Sequence, residues 1–253
     1  MRLVLFCATV LAVGAQAFDP AKIVDLTYPL NKNNVFWPNA KGFVHRKDGW
    51  ARTPQGYWYA AGGFSMDEHG GTHMDSPIHF AEGKLALEAV PAQRLAGPAV
   101  VIDIAAAAAK NRDYVAAVSD IEAFEKKYGT IKRGSIVLFR TGWGKFWPNR
   151  KQYLGSDTPG DTQNLHFPGI SPKAAEVLVK RGVNGVGIDT ASTDHGPSRT
   201  FETHQILSEA NVFGLENVAF LDKIPPVGAT LIAAPIKIEN GTGGPVRILA
   251  ILP

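Results

Sequence analysis

The chain reads as an α/β protein, one domain built around a mixed sheet, and three observations predict that class. Short β-branched runs, AVVIDI at 99–104 and SIVLFR at 135–140, have the length and composition of buried strands. Helix start and stop signals lie between and after such runs instead of forming a block of their own. No repeat period, low-complexity tract or linker divides the chain, and the Pro/Gly-rich patches at 155–169 and 194–198 fall between elements.

Taken in order, Ile23–Leu30 begins apolar and ends near Pro29, as an edge strand does. Residues 31–49 are loop-like, with Trp37-Pro38 inside them. Tyr57–Met66 mixes aromatics with alanine and glycine and suits a strand. Ser119-Asp120-Ile121-Glu122 has the capping-box pattern and Gly129 is a stop, which predicts a helix over Asp120–Tyr128. Ser171-Pro172 places an N-cap serine before a first-turn proline, and Gly182 ends that helix. Val183–Ile188 reads as a strand and Phe201–Ala210 as a helix. Thr230–Ile238 and Val246–Leu252 close the chain as strands.

Composition narrows the function. The 253 residues are 45% hydrophobic, enough for a sizeable core. A net charge of +3 without a dense Lys/Arg run argues against a nucleic-acid partner. Arg2, the apolar run Leu3–Val13 and Ala15-Gln16-Ala17 resemble a secretory signal cut after Ala17, leaving residues 18–253 as the mature domain. The run is too short to span a bilayer, and no later segment is longer. The expected location is therefore outside the cell or in the secretory lumen, with no membrane attachment after cleavage. Cys7 is the only cysteine and lies in that leader, which excludes disulfides, thiolate ligands and a cysteine nucleophile from the mature chain. Asn240-Gly241-Thr242 fits the glycosylation pattern.

The chemistry concentrates in HGGTHMDSPIH, residues 69–79, which holds three of the seven histidines and an aspartate. His69 and His73 are four apart, as in helical zinc motifs, but Gly70-Gly71 separate them and Pro77 follows. Each glycine costs a helix about 1 kcal/mol against alanine, and the proline would break what remained. The stretch is therefore bent or extended. In extended backbone, residues 69, 71, 73 and 75 point one way, so His69, His73 and Asp75 share a face with Gly71 leaving room between them. Two imidazoles and a carboxylate form a first shell for a catalytic divalent cation, and the set suits zinc, manganese or iron. His79 has the same parity and is placed as a general acid or base. Further ligands would come from His45, His166, His195, His204 or the acids. His204 sits on a predicted helix beside Ile206 and Leu207. Glu216 is an acid in the apolar stretch VFGLENVAF, where a buried carboxylate must be paired or metal-bound. On this reading alone His204 serves equally as a surface helix residue, and Glu216 as a cap or ion-pair partner.

HGGTHMDSPIH resembles the His-x-Gly-Thr-His-x-Asp-x-Pro-x-His signature of the cyclase superfamily, which includes bacterial-type kynurenine formamidases and isatin hydrolases. VFWPN around Trp37 and THQILSEANVFGLENV are similar to formamidase segments. GIDTASTDHGPSRTFETHQIL and GTGGPVRILAIL are similar to the isatin-hydrolase-like branch, so the resemblance runs from Asp25 to Leu252. It implies a single swivelling β/β/α domain, dimeric or larger, with pockets built partly by a neighbouring subunit. It implies His69, His73 and Asp75 as metal ligands and His79 as the proton-transfer residue. It implies His204 and Glu216 as completing a second site, with Asp75 and Glu216 bridging, and Trp37 as lining the substrate pocket. One manganese per subunit is the isatin-hydrolase picture and two metals the formamidase one, so the expected cofactor is Mn2+ or Zn2+, one or two per subunit. His195 stands where many relatives carry tyrosine.

The expected reaction is metal-assisted hydrolysis of a C–N amide bond in a small aryl or cyclic amide, as in opening of the isatin ring. A bound cation lowers the pKa of water from about 15.7 toward about 7. His79 takes the proton and returns it to the leaving nitrogen. Trp37, Trp143 and Phe146 are candidates for stacking on a flat ring. No Gly-x-Ser-x-Gly elbow supports a covalent serine route. The alternatives are an aryl formamidase acting on N-formylkynurenine and a secreted, non-catalytic metal or small-ligand binding protein.

Overall fold

The structure, a computed structural model, describes residues 19–253. The leader expected over residues 1–17, with Cys7, lies outside the described residues. The elements in chain order are β1 (Ile23–Asp25), β2 (Val44–Arg52), β3 (Trp58–Ser65), β4 (His73–Asp75), β5 (Ala96–Asp103), α1 (Ala105–Ala108), β6 (Val115–Ala116), α2 (Val118–Tyr128), β7 (Ile136–Arg140), α3 (Arg150–Leu154), β8 (Gly169–Ile170), α4 (Pro172–Arg181), β9 (Gly185–Ile188), α5 (Glu202–Glu209), β10 (Phe213–Glu216), β11 (Thr230–Pro235) and β12 (Gly243–Ile251).

Eight strands form one sheet in the order β1-β12-β11-β5-β7-β9-β10-β4, and β4 also pairs with β12, closing the sheet on itself. Strands β5, β7, β9 and β10 run parallel, and the remaining pairings of this sheet are antiparallel. The closure follows from side-chain alternation. Ala99, Val101, Ile136 and Leu138 point inward to meet Leu215, Leu231 and Ile248, while Val100, Ile102, Val137 and Phe139 point outward under Ile121, Phe124, Ala174 and Leu178 of α2 and α4. Strands covered on both faces read as unbroken apolar runs, which is why these strands are visible in the sequence. Burying each Val, Leu, Ile or Phe among them contributes about 1.5–3 kcal/mol. The mixed α/β class is as expected. Among the described residues no helix is long and apolar enough to cross a membrane.

Several boundaries differ from expectation. β2 rises from the stretch read as loop and pairs with β3 as a separate two-stranded arm, with a bulge between Lys47 and Gly49. Its side chains are almost all exposed, so no buried face imprints a period on the sequence. Of Ile23–Leu30, only residues 23–25 pair, against Leu249–Ile251 of β12. α2 starts one residue before Ser119, and Ser119 is not its cap. Asp120 Oδ2 instead accepts the Ala117 N–H at 2.7 Å, so the reciprocal half of a capping box operates without a hydroxyl. α4 starts as expected, with Ser171 Oγ accepting from Ala174 N at 3.2 Å. β11 stops at Pro235, short of Ile238, and β12 begins early, at Gly243, because its first three residues pair with β4.

Candidate metal centre and active site

The site forms where β4 is wedged between β10 and β12. In that register His73 lies opposite Glu216 and Asp75 opposite Gly214, so a local motif meets a residue 143 positions later. His73 and Asp75 are two apart on one strand and share a face. The extended reading fails upstream. Gly71 takes φ +62°, a left-handed conformation that glycine adopts without steric cost, and the chain turns back there. The turn swings His69 over Asp75, with Nδ1 2.7 Å from Oδ1. The double glycine does not leave room between imidazoles: a Cβ on Gly70 would lie 2.0 Å from the Phe36 ring, and one on Gly71 would lie 2.9 Å from Leu30.

Three histidines are each held from behind by an acceptor. His73 Nδ1 donates to the Gly71 carbonyl at 3.0 Å, and His204 Nδ1 donates to Asp194 Oδ2 at 2.6 Å. His69 Nε2 lies 2.9 Å from Thr242 Oγ1. Carbonyls and carboxylates only accept, so His73 and His204 carry their protons on Nδ1 and turn Nε2 inward. His73 Nε2 is then 3.3 Å from Asp75 Oδ1 and 3.5 Å from Glu216 Oε2. His204 Nε2 is 3.0 Å from Glu216 Oε1 and 3.3 Å from Asp75 Oδ2. Imidazole lone pairs facing carboxylate oxygens at these distances repel unless a proton or a cation lies between them. His73 Nε2 and Asp75 Oδ2 are buried without a hydrogen-bond partner, an arrangement that costs about 1–3 kcal/mol per group. These orphaned atoms and the donor chemistry fit a divalent cation.

The electrostatics agree. Burial depresses the His73 imidazole, but contact with Asp75 and the charge of Glu216 more than reverse this, to about 9. His204 is likewise pushed down by burial and raised well above its usual range by Asp194, Asp75 and Glu216. Burial raises Asp75, yet the surrounding histidines hold it well below the ordinary carboxylate range. His79 is the exception: burial, opposed by the charge of Asp75 but joined by the neighbouring imidazoles, lowers it to about 4, and it is neutral near pH 7. Its ring stacks on His69 with centroids 3.8 Å apart.

The donors group otherwise than expected. His69, Asp75 and His79 converge in one set and His73, Asp75 and Glu216 in another, with Asp75 common to both. The reason is the turn at Gly71, which carries His69 toward His79 and leaves it perpendicular to His73. His204 flanks the second set. All of these except Asp75 line a cavity of about 260 Å³ walled by Phe36, Trp37, Phe80 and Phe201. Trp37 is one of these wall residues and lies edge-on to Phe201.

Other candidates lie elsewhere. His45 is on the β2–β3 arm and His166 pairs with Asp113 near the surface, while His195 lines no part of this cavity. Trp143 and Phe146 are not stacking groups for a ligand here. Trp143 is buried with Nε1 donating to the Tyr153 carbonyl at 2.8 Å, and Phe146 packs edge-on against it. Sequence reasoning passed over Asp194, Thr242, Asn217, Phe80 and Phe201. Asp194 lies among the small polar residues Thr190, Ser192 and Thr193, so it lacked the apolar surroundings that marked Glu216. Thr242 was hidden inside the glycosylation pattern.

A profile of the family described as "Putative cyclase" matches residues 24–195. The isatin hydrolase of Roseibium aggregatum is 37% identical over 206 residues, 78% of this chain and 77% of that protein. A kynurenine formamidase of Bacillus thuringiensis is 28% identical over 229 residues, 88% and 94% of the two chains. The crystal structure of an isatin hydrolase bound to the product analogue thioisatinate superposes with a TM-score of 0.83 at 34% identity, covering 91% of this chain and 92% of that one.

Proposed function

This chain belongs to the cyclase family and is a metal-dependent amide hydrolase, and we propose that the bond it cleaves is the C–N bond of a cyclic aryl amide of the isatin type. One observation carries this reading. Inward-facing imidazole nitrogens and an orphaned carboxylate oxygen sit beside a small aromatic cavity whose lining contains no Lys or Arg among the described residues. N-formylkynurenine bears a free amino-acid group that would call for charged partners. A flat, uncharged ring calls only for aromatic walls and a polarised carbonyl.

In this proposal His69, His73, Asp75, His204 and Glu216 hold Mn2+ or Zn2+, one or two ions per subunit. When bound, the cation supplies carbonyl polarisation and a more acidic water. The chain supplies the rest. Trp37, Phe36, Phe80 and Phe201 sandwich the ring and exclude bulk water. His79, neutral near pH 7, accepts the proton of the attacking water and delivers it to the departing nitrogen. The test is side-by-side turnover of isatin, N-formylkynurenine and simple lactams by Mn2+-loaded, Zn2+-loaded and chelated protein, with elemental analysis. Faster turnover of N-formylkynurenine would reassign the substrate. Tight metal binding without turnover of any amide would favour a binding protein.

We further propose that the mature domain, residues 18–253, is exported and is a homodimer or larger. The leader composition supports export, and the mass of the protein recovered outside the cytosol checks cleavage after Ala17. The β2–β3 arm supports self-association: Trp50, Tyr57, Trp58, Tyr59 and Phe64 are each more than half exposed. A two-stranded hairpin of that kind is marginal in water and is best covered by a second copy. Sedimentation of a Trp50→Ser/Trp58→Ser variant should show dissociation. Asn240 is exposed, and the mass of the exported chain reads whether it carries a glycan.

A further inference from the structure

We propose that Glu68 and Thr242 form a positioning pair that fixes the tautomer and ring orientation of His69 for metal ligation, an inference that rests on the metal-dependent reading above. His69 needs such a device more than the other ligands do. Its side chain is 24% exposed, against 3% for His73 and 8% for His204, so packing alone does not hold the ring.

With a cation held between His69 Nδ1 and Asp75 Oδ1, the hydrogen bonds on the Thr242 side place the ring proton. Thr242 Oγ1 lies 2.5 Å from Glu68 Oε2, and the Thr242 N–H donates to the same oxygen at 2.9 Å. A carboxylate accepts only, so the single hydroxyl proton of Thr242 points at Glu68. The hydroxyl is left to accept from His69, which places the imidazole proton on Nε2. Nδ1 then presents its lone pair toward Asp75 Oδ1, 2.7 Å away, where a ligand nitrogen is wanted.

The pair is anchored on both sides. Glu68 adjoins His69 in sequence. Thr242 immediately precedes Gly243, which pairs with Asp75, and the Thr242 carbonyl accepts from Ser76 N at 2.9 Å. A Cβ on Gly243 would sit 2.5 Å from His69 Cε1, so the backbone after Thr242 presses against the same ring. The threonine of the Asn240-Gly241-Thr242 pattern thus has a task in the site that is independent of any glycan.

The test compares native protein with Thr242→Val, Thr242→Ser and Glu68→Ala, using Mn2+ or Zn2+ in competition with a chromophoric chelator, the melting of the chelated protein, and turnover. Thr242→Val keeps the shape and removes the hydroxyl, and it should weaken metal binding about 10–100-fold with little change in metal-free melting. Thr242→Ser should restore it. Glu68→Ala should weaken it, and combining it with Thr242→Val should add little, because the two act as one unit. Native affinity in Thr242→Val, or a loss that serine does not rescue, overturns the proposal. Native protein that takes up neither ion overturns the hydrolase reading first, so the two failures are told apart by the native control.

Discussion

Asn217 and His73 donate to the same atom: the Gly71 carbonyl oxygen accepts from Asn217 Nδ2 at 2.8 Å and from His73 Nδ1 at 3.0 Å. The turn that shapes the motif is thus tied to an asparagine next to Glu216. Asn217 Oδ1 lies 2.9 Å from the Tyr153 hydroxyl, and Asn217 itself has φ +52°, which asparagine tolerates better than most residues. Asn217→Asp would set an acceptor against the Gly71 oxygen at a fully buried position. The expected loss is about 1–3 kcal/mol, seen as a lower melting temperature, together with weaker metal binding. Asn217→Gly, which keeps the backbone free, should be milder.

Gly70 and Phe36 set a second test. A methyl group on Gly70 would meet the buried Phe36 ring at 2.0 Å, and the two residues form a β-bridge that leaves little room for retreat. Gly70→Ala should destabilise by about 1–3 kcal/mol or more in thermal unfolding. Adding Phe36→Ala should recover part of it, because the clash partner is gone.

His79→Ala separates two roles. The ring stacks on His69 and its nitrogen falls within one candidate donor set, and its lowered pKa keeps it neutral, with a lone pair free either to take a proton or to bind a cation. The expected result is retained metal content with turnover reduced about 10²–10⁴-fold. Metal lost in parallel with activity would make His79 a ligand.

Chelated protein should show a particular pH dependence. The His73 imidazole is raised to about 9 from an ordinary 6.5. A raised folded-state pKa contributes stability that is fully present below 6.5 and is lost as pH rises through about 9. Melting of the metal-free protein should therefore fall across that window, and less so in His73→Gln. Metal affinity should climb over the same window, because the cation displaces the proton, with proton release detectable by calorimetry in buffers of different ionisation enthalpy.

The legibility of this chain follows how local each cause is. Strands β5 and β7 declared themselves because Ala99–Ile102 and Ile136–Phe139 are apolar and buried on both faces. α4 did so because its serine cap and terminal glycine act within a few residues of the helix. The arm left no such mark, because solvent selects no period. The α2 cap misled because Asp120 serves from inside the helix and Ser119 not at all.

The same division runs through the site. The crowding of His69, His73, Asp75 and His79 is a property of the sequence by itself, and so is the exclusion of a helical zinc motif, since two glycines and a proline act on the backbone where they stand. Which nitrogen of each ring faces inward was decided by tertiary structure alone. Thr242, Asp194 and the Gly71–Asn217 contact reach their rings through sheet register and packing across as many as 173 positions. Hydrogen-bond direction depends on partners that meet only when β4 slots between β10 and β12, and no local pattern of residues encodes that meeting.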